Sequence, residues 1–351
     1  MHQELERPVS TCPAGEAFPI PTQKDYQHEF RLLQQLVMAQ RGLGREIVVV
    51  MGTGYAATVT AGLIADSANS ESLKPSKFVI NLQYPLRGTY WAVPYLNRGQ
   101  APVQSKDPEL SHLIDRCVNS KKTLTATFSP EVLTLADIVI VTGKDGAHSN
   151  DRGMGGNGQG EFGVLEEGFL VIGQKIDPEC LVLIETAVPP GTTEYVAYPI
   201  LKKAFEQRGL CSNSDLYDSS DGSSFTDHRP PITVPEPLVA HSYERVVAGS
   251  DPDGSFCGLR RICSGVTDAA SQRVIRFYSG LFDVDTYPIT VLDRPAESET
   301  ANVVENSYQS TMKTFLQEWS HYSKRNGVDL GKVIEAADMP FSEHALAFQG
   351  R

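Results

Sequence analysis

Glycines and small residues with the spacing of a phosphate-binding turn lie near the start of the chain, in the stretch IVVVMGTGYAATVTA at residues 47–61. Residues 47–50 are a continuous β-branched run, which is typical of a buried parallel strand. Gly52 permits a tight turn, and Gly54 lets the backbone approach a pyrophosphate where the N–H groups and dipole of the next helix favour anions. Ala57 stands where a third glycine would bring helix and strand together. The stretch therefore predicts a dinucleotide-binding turn, and a glycine-rich structural turn is the alternative.

Three polar side chains further along the chain have types suited to binding a substrate hydroxyl, to acid–base chemistry or to holding an oxyanion. Thr186 ends a predicted strand, where its hydroxyl can bond a substrate or an ordered water. Glu194 follows a Pro-Pro-Gly turn and can act as a base or position a water. The amide of Asn306 can hold an oxyanion. The structural alternatives stay open: a strand-end hydroxyl, a helix-capping carboxylate and a helix-surface amide.

Apolar runs and helical periodicities alternate around these residues. Strands are predicted at residues 47–51, 77–82, 123–127, 136–141 and 180–185, and helices at 24–43, 55–67, 107–121 and 130–135. Such alternation predicts an α/β fold with a doubly wound parallel Rossmann-like sheet. A glycine-rich segment at 153–163 and a polar, acidic segment at 211–232 are interpreted as a loop and a surface insertion.

The character of the sequence changes after residue 233. A helix is predicted at 270–280, a strand at 286–291 and one long helix at 296–326, whose apolar stripe suits either a core or a dimer seam. We expect an N-terminal extension and helix over residues 1–44, a dinucleotide-binding domain over 45–232, and a mainly helical central and dimerisation domain over 233–351.

Composition excludes several classes of function. The chain has 351 residues, enough for two domains, and a formal net charge of −12, which argues against nucleic acid or an anionic membrane as a partner. The N-terminal segment lacks a signal-peptide pattern, so a cytoplasmic location is expected. The six cysteines form no C-x-x-C pair and have no closely spaced histidine, so no metal site is predicted, and Cys180 and Cys263 are expected to be buried thiols.

Four ordered motifs resemble the UDP-glucose/GDP-mannose dehydrogenase family. They are IETAVPPGTTE at 184–194, HSYERVVAG at 241–249 with Tyr243 in place of a proline, ETANVVEN at 299–306, and DLGKVIEA at 329–336. Together with the glycine turn, the resemblance covers about residues 46 to 340. It implies oxidation of the C6 alcohol of a nucleotide sugar to a carboxylate with two NAD and a thiohemiacetal intermediate. It also implies a homodimer formed through the long helix.

The sequence departs from the family where the chemistry is done. Relatives place a lysine where this chain has Asn302, and an amide brings no charge to an oxyanion. Loss of one preorganised oxyanion donor typically costs ~10²–10³ in rate. Residues 344–351 lie where the loop with the nucleophilic cysteine would begin, so we expect a chain truncated before that loop and the C-terminal domain. Full oxidation to the acid is therefore not expected, whereas a single reversible hydride transfer is.

The ribose side of the cofactor site also differs. Proteins that bind NAD usually have Asp or Glu at the end of the second strand, where the carboxylate holds the ribose hydroxyls. Here the segment is NLQYP at 81–85, so Gln83 or Asn81 can bond a ribose hydroxyl and Arg87 can accept a 2′-phosphate. The cofactor is thus predicted to be NAD or NADP. The predicted cofactor-binding residues are Gly52, Thr53, Gly54, Tyr55, Ala56, Gln83, Arg87, Thr142 and Glu194.

These observations predict an NAD(P)-dependent oxidoreductase for a nucleotide sugar or related sugar alcohol. The predicted catalytic residues are Thr186, Glu194, Asn302 and Asn306. The alternatives are an inactive dinucleotide-binding or dimerising accessory subunit, and a truncated remnant. The expected partners are the small-molecule substrate and a second copy of the chain bound through residues 296–326.

Overall fold

A computed structural model describes residues 7–52, 54–68, 74–83, 87–103, 108–142, 159–210, 234–243, 261–281, 284–285 and 288–337. The chain divides into two compact units, Met1–Glu299 and Thr300–Arg351. The first contains two sheets and most helices. The second contains most of one long helix and a short one.

An eight-stranded sheet forms the centre of the first unit. Its strands are β3 (Glu46–Met51), β4 (Lys77–Leu82), β5 (Leu124–Thr127), β6 (Ile138–Thr142), β7 (Leu181–Glu185), β8 (Leu238–Ser242), β9 (Ile262–Gly265) and β10 (Thr290–Val291). Their order is β10-β9-β8-β7-β6-β3-β4-β5, and every neighbouring pair is parallel except β8 with β9. The order β5-β4-β3-β6-β7-β8 is that of a doubly wound dinucleotide-binding sheet. The predicted fold class is therefore confirmed.

Helices and a small hairpin surround this sheet. The helices are α1 (Gln23–Gly42), α2 (Tyr55–Asp66), α3 (Ala92–Asn97), α4 (Pro108–Asp115), α5 (Gln159–Gly173), α6 (Tyr198–Gln207), α7 (Asp268–Ser279), α8 (Pro295–Asn326) and α9 (Leu330–Ala336). Short 3₁₀ turns cover Arg87–Thr89 and Pro130–Leu135, and π-helical turns cover Arg116–Ser120 and Thr193–Ala197. The antiparallel hairpin consists of β1 (Val9–Thr11) and β2 (Ala17–Pro19). Among the described helices, none combines the length and apolarity needed to cross a membrane.

The apolar run of β3 separates two buried layers, because successive side chains of a strand point to opposite faces. Val48 and Val50 belong to the layer that includes α2, α4 and α7. Ile47, Val49 and Met51 belong to the layer that includes α5 and α6. Both faces of the sheet are covered, which explains why its strands are apolar without alternation.

The structure differs from the sequence-based elements in several places. The predicted helix at 107–121 is α-helical only to Asp115 and continues as a π-helical turn. Residues 159–163, predicted as loop, form the first turn of α5, and the rest of that glycine-rich segment lies outside the described residues, as do residues 211–232. Of the predicted strand at 286–291, residues 286 and 287 lie outside the described residues, 288 and 289 are not in a strand, and Thr290–Val291 form β10.

Two strands of the large sheet were not predicted at all. β8 and β9 are short and carry His241, Ser242 and Ser264, so neither is a continuous apolar run. Both join the sheet beyond residue 232, where the sequence placed a domain boundary. The assignment of separate functions to 45–232 and 233–351 stays a prediction.

Candidate functional site

The glycine turn lies where the strand order of the sheet reverses, between β3 and β6. Ligands of doubly wound sheets bind at this point, outside the carboxyl ends of the strands. Gly52 has a φ of 120°, and a Cβ at this position would approach Thr142 Oγ1 at 2.7 Å. Gly54 is the N-cap residue of α2 but provides no side-chain hydrogen bond to the helix, and the first turn of that helix has no acidic residue. The turn therefore requires glycine and presents an uncapped helix N-terminus.

Side chains from both neighbouring strands hold this turn. Thr142, at the end of β6, donates from Oγ1 to the carbonyl of Met51 at 2.6 Å. Asn81, in β4, donates from Nδ2 to the carbonyl of Gly52 at 2.7 Å. Both side chains are almost fully buried. Thr142, predicted to contact the cofactor, thus lies at the turn and positions its backbone.

The ribose side carries a buried amide with an unused acceptor. Gln83, one residue beyond β4, donates from Nε2 to Thr89 Oγ1 at 2.7 Å. Within the described part of the chain its Oε1 has no hydrogen-bond partner, and neither has Oδ1 of Asn81. An acceptor at the end of the second strand suits a ribose hydroxyl. The side chain of Arg87 lies outside what the structure describes.

Four of the remaining residues predicted to contact the cofactor belong to the turn or follow it, whereas Glu194 lies after β7. Gly54, Tyr55 and Ala56 are half-buried at the start of α2, whereas Ala57 is completely buried in the apolar layer below. Thr53 lies outside the described residues. A half-buried helix start above a packed helix body leaves the N–H groups accessible to a phosphate. The residues present fit a dinucleotide.

Glu194 is engaged by groups at the start of α8. Its Oε2 accepts from Arg294 Nη2 at 2.6 Å, and its Oε1 accepts from the backbone N–H of Ala296 at 3.2 Å. Burial raises the pKa of Glu194, but the hydrogen bonds from Arg294 and Ala296 outweigh burial and bring that pKa below its ordinary value. The carboxylate caps a helix, which was the structural alternative to a catalytic base.

Glu299 holds the loop that carries the predicted catalytic residues, and sequence reasoning missed it. Its carboxylate accepts from the backbone N–H groups of Gly191 and Thr193, and from Thr193 Oγ1 at 2.6 Å. The side chain is fully buried, and Gly191 adopts a φ of 95° in the turn that it fixes. The only signal was its position at the start of the motif 299–306, since both loop partners lie more than a hundred residues away.

Thr186 follows β7 directly and is half-buried. The preceding residue, Glu185, is fully buried and accepts a hydrogen bond from the hydroxyl of Tyr278. Burial raises the pKa of Glu185. Thr186 thus lies beside a buried carboxyl group at the carboxyl edge of the sheet.

A second buried polar group surrounds His241 at the end of β8. Its Nδ1 lies 2.7 Å from Ser298 Oγ, which lies 2.6 Å from Ser264 Oγ. Burial lowers the pKa of His241 to about 4, so the ring is neutral near pH 7. Glu244 and Arg245, which follow it in the motif, lie outside the described residues.

Asn302 and Asn306 lie in the second unit, one turn apart on α8. Asn306 Nδ2 donates to Asn302 Oδ1 at 2.7 Å, which is the usual reach of residues four apart on a helix. The structure therefore brings these two predicted residues together on one helix face. A common site with Thr186 and Glu194 stays a prediction.

The cysteines of the described residues are free and buried: Cys12, Cys117, Cys180 and Cys263. This confirms the prediction for Cys180 and Cys263. Burial raises the pKa of Cys117 and of Cys263 to about 12 and also raises that of Cys180. Buried protonated thiols are poor nucleophiles.

Comparisons with known proteins agree with the motifs. No family model matches the sequence. The chain is 22% identical over 294 residues to UDP-N-acetyl-D-mannosamine dehydrogenase of Pyrococcus horikoshii, covering 83% of this chain and 57% of that protein. It is 24% identical over 175 residues to UDP-N-acetyl-D-glucosamine 6-dehydrogenase of Pseudomonas aeruginosa, covering 48% of this chain and 35% of that protein.

Solved structures of nucleotide-sugar dehydrogenases have a similar fold. NDP-N-acetyl-D-galactosaminuronic acid dehydrogenase from Methanosarcina mazei superposes with a TM-score of 0.60 at 21% identity, over 88% of this chain and 57% of that one. The chain thus spans little more than half the length of the first relatives it matches. In sequence motifs and in fold, it resembles the UDP-glucose/GDP-mannose family of nucleotide-sugar dehydrogenases.

Proposed function

We propose that this chain is an NAD(P)-dependent oxidoreductase acting on a CH–OH group of a nucleotide sugar or related sugar alcohol. The observation that carries the proposal is the glycine turn at the strand-order reversal, with Gly52 at a φ of 120° and an uncapped α2. The resemblance to nucleotide-sugar dehydrogenases supports the class of substrate.

Different residues of the chain bind the pyrophosphate, the ribose and the substrate hydroxyl. The N–H groups at the start of α2 hold the pyrophosphate, and Gln83 Oε1 accepts from a ribose hydroxyl. Thr186, at the carboxyl edge of the same sheet, donates to or accepts from the substrate hydroxyl. When bound, the nicotinamide supplies a hydride acceptor for oxidation of the alcohol to a carbonyl.

A proton must also leave the substrate hydroxyl, and Glu194 is the proposed base. Its carboxylate is ionised but bonded to Arg294, so that bond must open before Glu194 can accept the proton. Asn302 and Asn306 are proposed to donate amide hydrogen bonds to the developing oxyanion. Oxidation of the alcohol by one hydride transfer needs none of the buried cysteines.

The test is calorimetric titration of the 351-residue chain with NAD and with NADP, followed by absorbance measurements of reduced nicotinamide with a panel of UDP- and GDP-sugars. Binding with one hydride transferred per sugar is expected, and Glu194→Gln should abolish turnover. Binding without turnover would favour an accessory subunit. Absence of binding would mean that the glycine turn is structural.

A further inference from the structure

The amide of Gln83 lies at the position where NAD-binding proteins usually have a carboxylate. The two groups differ in their hydrogen-bonding capacity. A carboxylate only accepts hydrogen bonds, whereas an amide has an oxygen acceptor at one edge and an N–H₂ donor at the other. The side chain is 4% exposed, so it is fixed by its surroundings and not by solvent.

Gln83 lies on the face of the sheet that carries α2. On the same strand, Val79 packs in the apolar layer of α2, while Leu82 packs in the opposite layer. Because side chains of a strand alternate, Asn81 and Gln83 share the side of Val79. Asn81 bonds the carbonyl of Gly52, which places this row of side chains against the glycine turn.

Because its partner is the hydroxyl of Thr89, the amide of Gln83 can form this hydrogen bond in either of its two orientations. In the structure Gln83 Nε2 donates to Thr89 Oγ1 at 2.7 Å and leaves Oε1 without a partner among the described residues. A hydroxyl both donates and accepts. If the amide flips, Thr89 donates to Oε1 and the N–H₂ group takes the position that Oε1 had occupied without a partner.

The β1–β2 hairpin holds Thr89 in place from both sides along the chain. Ser10 Oγ donates to the carbonyl of Gly88 at 2.9 Å and accepts from the N–H of Trp91 at 3.1 Å. Ser10 is almost fully buried in this contact. The backbone on both sides of Thr89 is therefore held in place, and this positions the Thr89 hydroxyl beside Gln83.

We propose that Gln83 and Thr89 form a ribose reader that accepts either a 2′-hydroxyl or a 2′-phosphate, so that the chain binds NAD and NADP with similar affinity. This rests on the proposed function. With Oε1 unpaired, as in the structure, the pair accepts a hydrogen bond from the 2′-hydroxyl of NAD. With the amide reversed, its N–H₂ group donates to a 2′-phosphate oxygen of NADP, which a carboxylate would repel.

The experiment compares the dissociation constants of NAD and NADP for the 351-residue chain and for Gln83→Glu. We expect the two wild-type dissociation constants to agree within about 10-fold. Gln83→Glu should raise the ratio of the NADP constant to the NAD constant by about 100-fold or more, because the new carboxylate and the 2′-phosphate are like charges, whose juxtaposition costs several kcal/mol. Affinity for NAD should stay within a few-fold, because the carboxylate still accepts from the hydroxyl. Gln40→Glu, another buried glutamine beside Arg45, is the matched control and should leave the ratio unchanged.

A second variant covers the case in which Gln83→Glu does not fold. Gln83→Met has similar volume and no hydrogen bond, and it should weaken both cofactors by about 5-fold without changing their ratio. A wild-type preference for NAD of more than about 100-fold, or an unchanged ratio in folded Gln83→Glu, overturns this inference and leaves the proposed function standing. Failure of wild type to bind either cofactor overturns both.

Discussion

At the scale of single residues, carboxylates fix the loop after β7. Glu299 accepts three hydrogen bonds from Gly191 and Thr193, and Glu194 is bonded by Arg294 and Ala296. Each carboxylate joins this loop to the start of α8. The loop that carries Thr186 and Glu194 is therefore held by Arg294 and Glu299, for which the sequence predicted no role.

Glu299→Gln should destabilise the protein, because an amide cannot accept from both loop N–H groups and its own N–H₂ would face one of them. A buried donor left without a partner costs about 1–3 kcal/mol, which urea denaturation measures as a lower midpoint. Glu297→Gln is the control: that side chain is exposed, and its change should stay within about 0.5 kcal/mol. Equal effects in the two variants would contradict the role given to Glu299.

His241 predicts an acid-sensitive step in stability. Its folded pKa is about 4, below the ~6.5 of an unfolded histidine. Between these values the unfolded chain binds a proton that the folded chain does not, so the free energy of unfolding falls as the pH falls. The fall is roughly 1.4 kcal/mol per pH unit at most, and it ends below the folded pKa.

Urea denaturation of wild type and His241→Gln between pH 7 and the folded pKa of about 4 measures this slope. The variant should show a shallower slope even if it is less stable throughout. His321→Gln, at an exposed position of α8, should keep the wild-type slope. A slope unaffected by His241→Gln would refute the buried neutral ring.

At the scale of elements, the strand–turn–helix unit β3–α2 is where sequence and structure agree best. β3 ends at the predicted residue and begins one residue before the predicted start, because a buried parallel strand is a continuous apolar run that can be read locally. The turn between β3 and α2 also shows why glycine is needed at one position. Gly52 combines a positive φ with a close neighbour, whereas Gly44 has a φ of 75° and nothing within 4 Å of an added Cβ.

Gly52→Ala and Gly44→Ala separate these two effects. Both variants suffer backbone strain, about 1 kcal/mol or more. Only Gly52→Ala also meets Thr142 Oγ1, so its free energy of unfolding should drop by about 3 kcal/mol and its affinity for NAD and NADP should be lost. Chemical denaturation and calorimetric titration measure the two quantities. Retained cofactor binding in Gly52→Ala would contradict the site.

What the sequence could not predict depends on contacts between distant segments. β8 and β9 lack a continuous apolar run, and β9 pairs antiparallel in a sheet that is otherwise read as parallel. The bond of Gln83 to Thr89 is local, but the hairpin that fixes Thr89 comes from residues about eighty positions earlier. The partners of Glu194 and Glu299 likewise lie about a hundred positions away. Local periodicity contains no information about such pairs.

At the scale of the whole molecule, the exposed side of α8 is the feature that the described fold leaves unexplained. Within the second unit its large exposed side chains include Tyr308, Phe315, Trp319 and Tyr322. Phe315 and Trp319 lie with ring centroids 6.2 Å apart, and Trp319 and Tyr322 5.5 Å apart. Apolar patches of this kind mark interaction surfaces, which supports the proposed homodimer through residues 296–326.

Replacement of both Phe315 and Trp319 by serine should convert a dimer to a monomer, because the aromatic anchors of an interface provide most of its binding energy. Light scattering after size-exclusion chromatography measures the mass over a range of concentrations. Gln317→Ser, exposed on the same helix, should leave the dimer intact. A wild-type chain that stays monomeric at high concentration would exclude this interface.

The two hydrogen bonds that hold the glycine turn also determine how much the backbone must reorganise when a ligand binds. With the carbonyl of Met51 bonded by Thr142 and that of Gly52 by Asn81, these two peptide groups have little freedom left to lose. Association then requires little reorganisation of this backbone, and the entropy of ordering it has already been spent during folding. Discrimination among phosphorylated compounds at this edge would follow from fit to a preformed shape, and not from a closure that each ligand must induce.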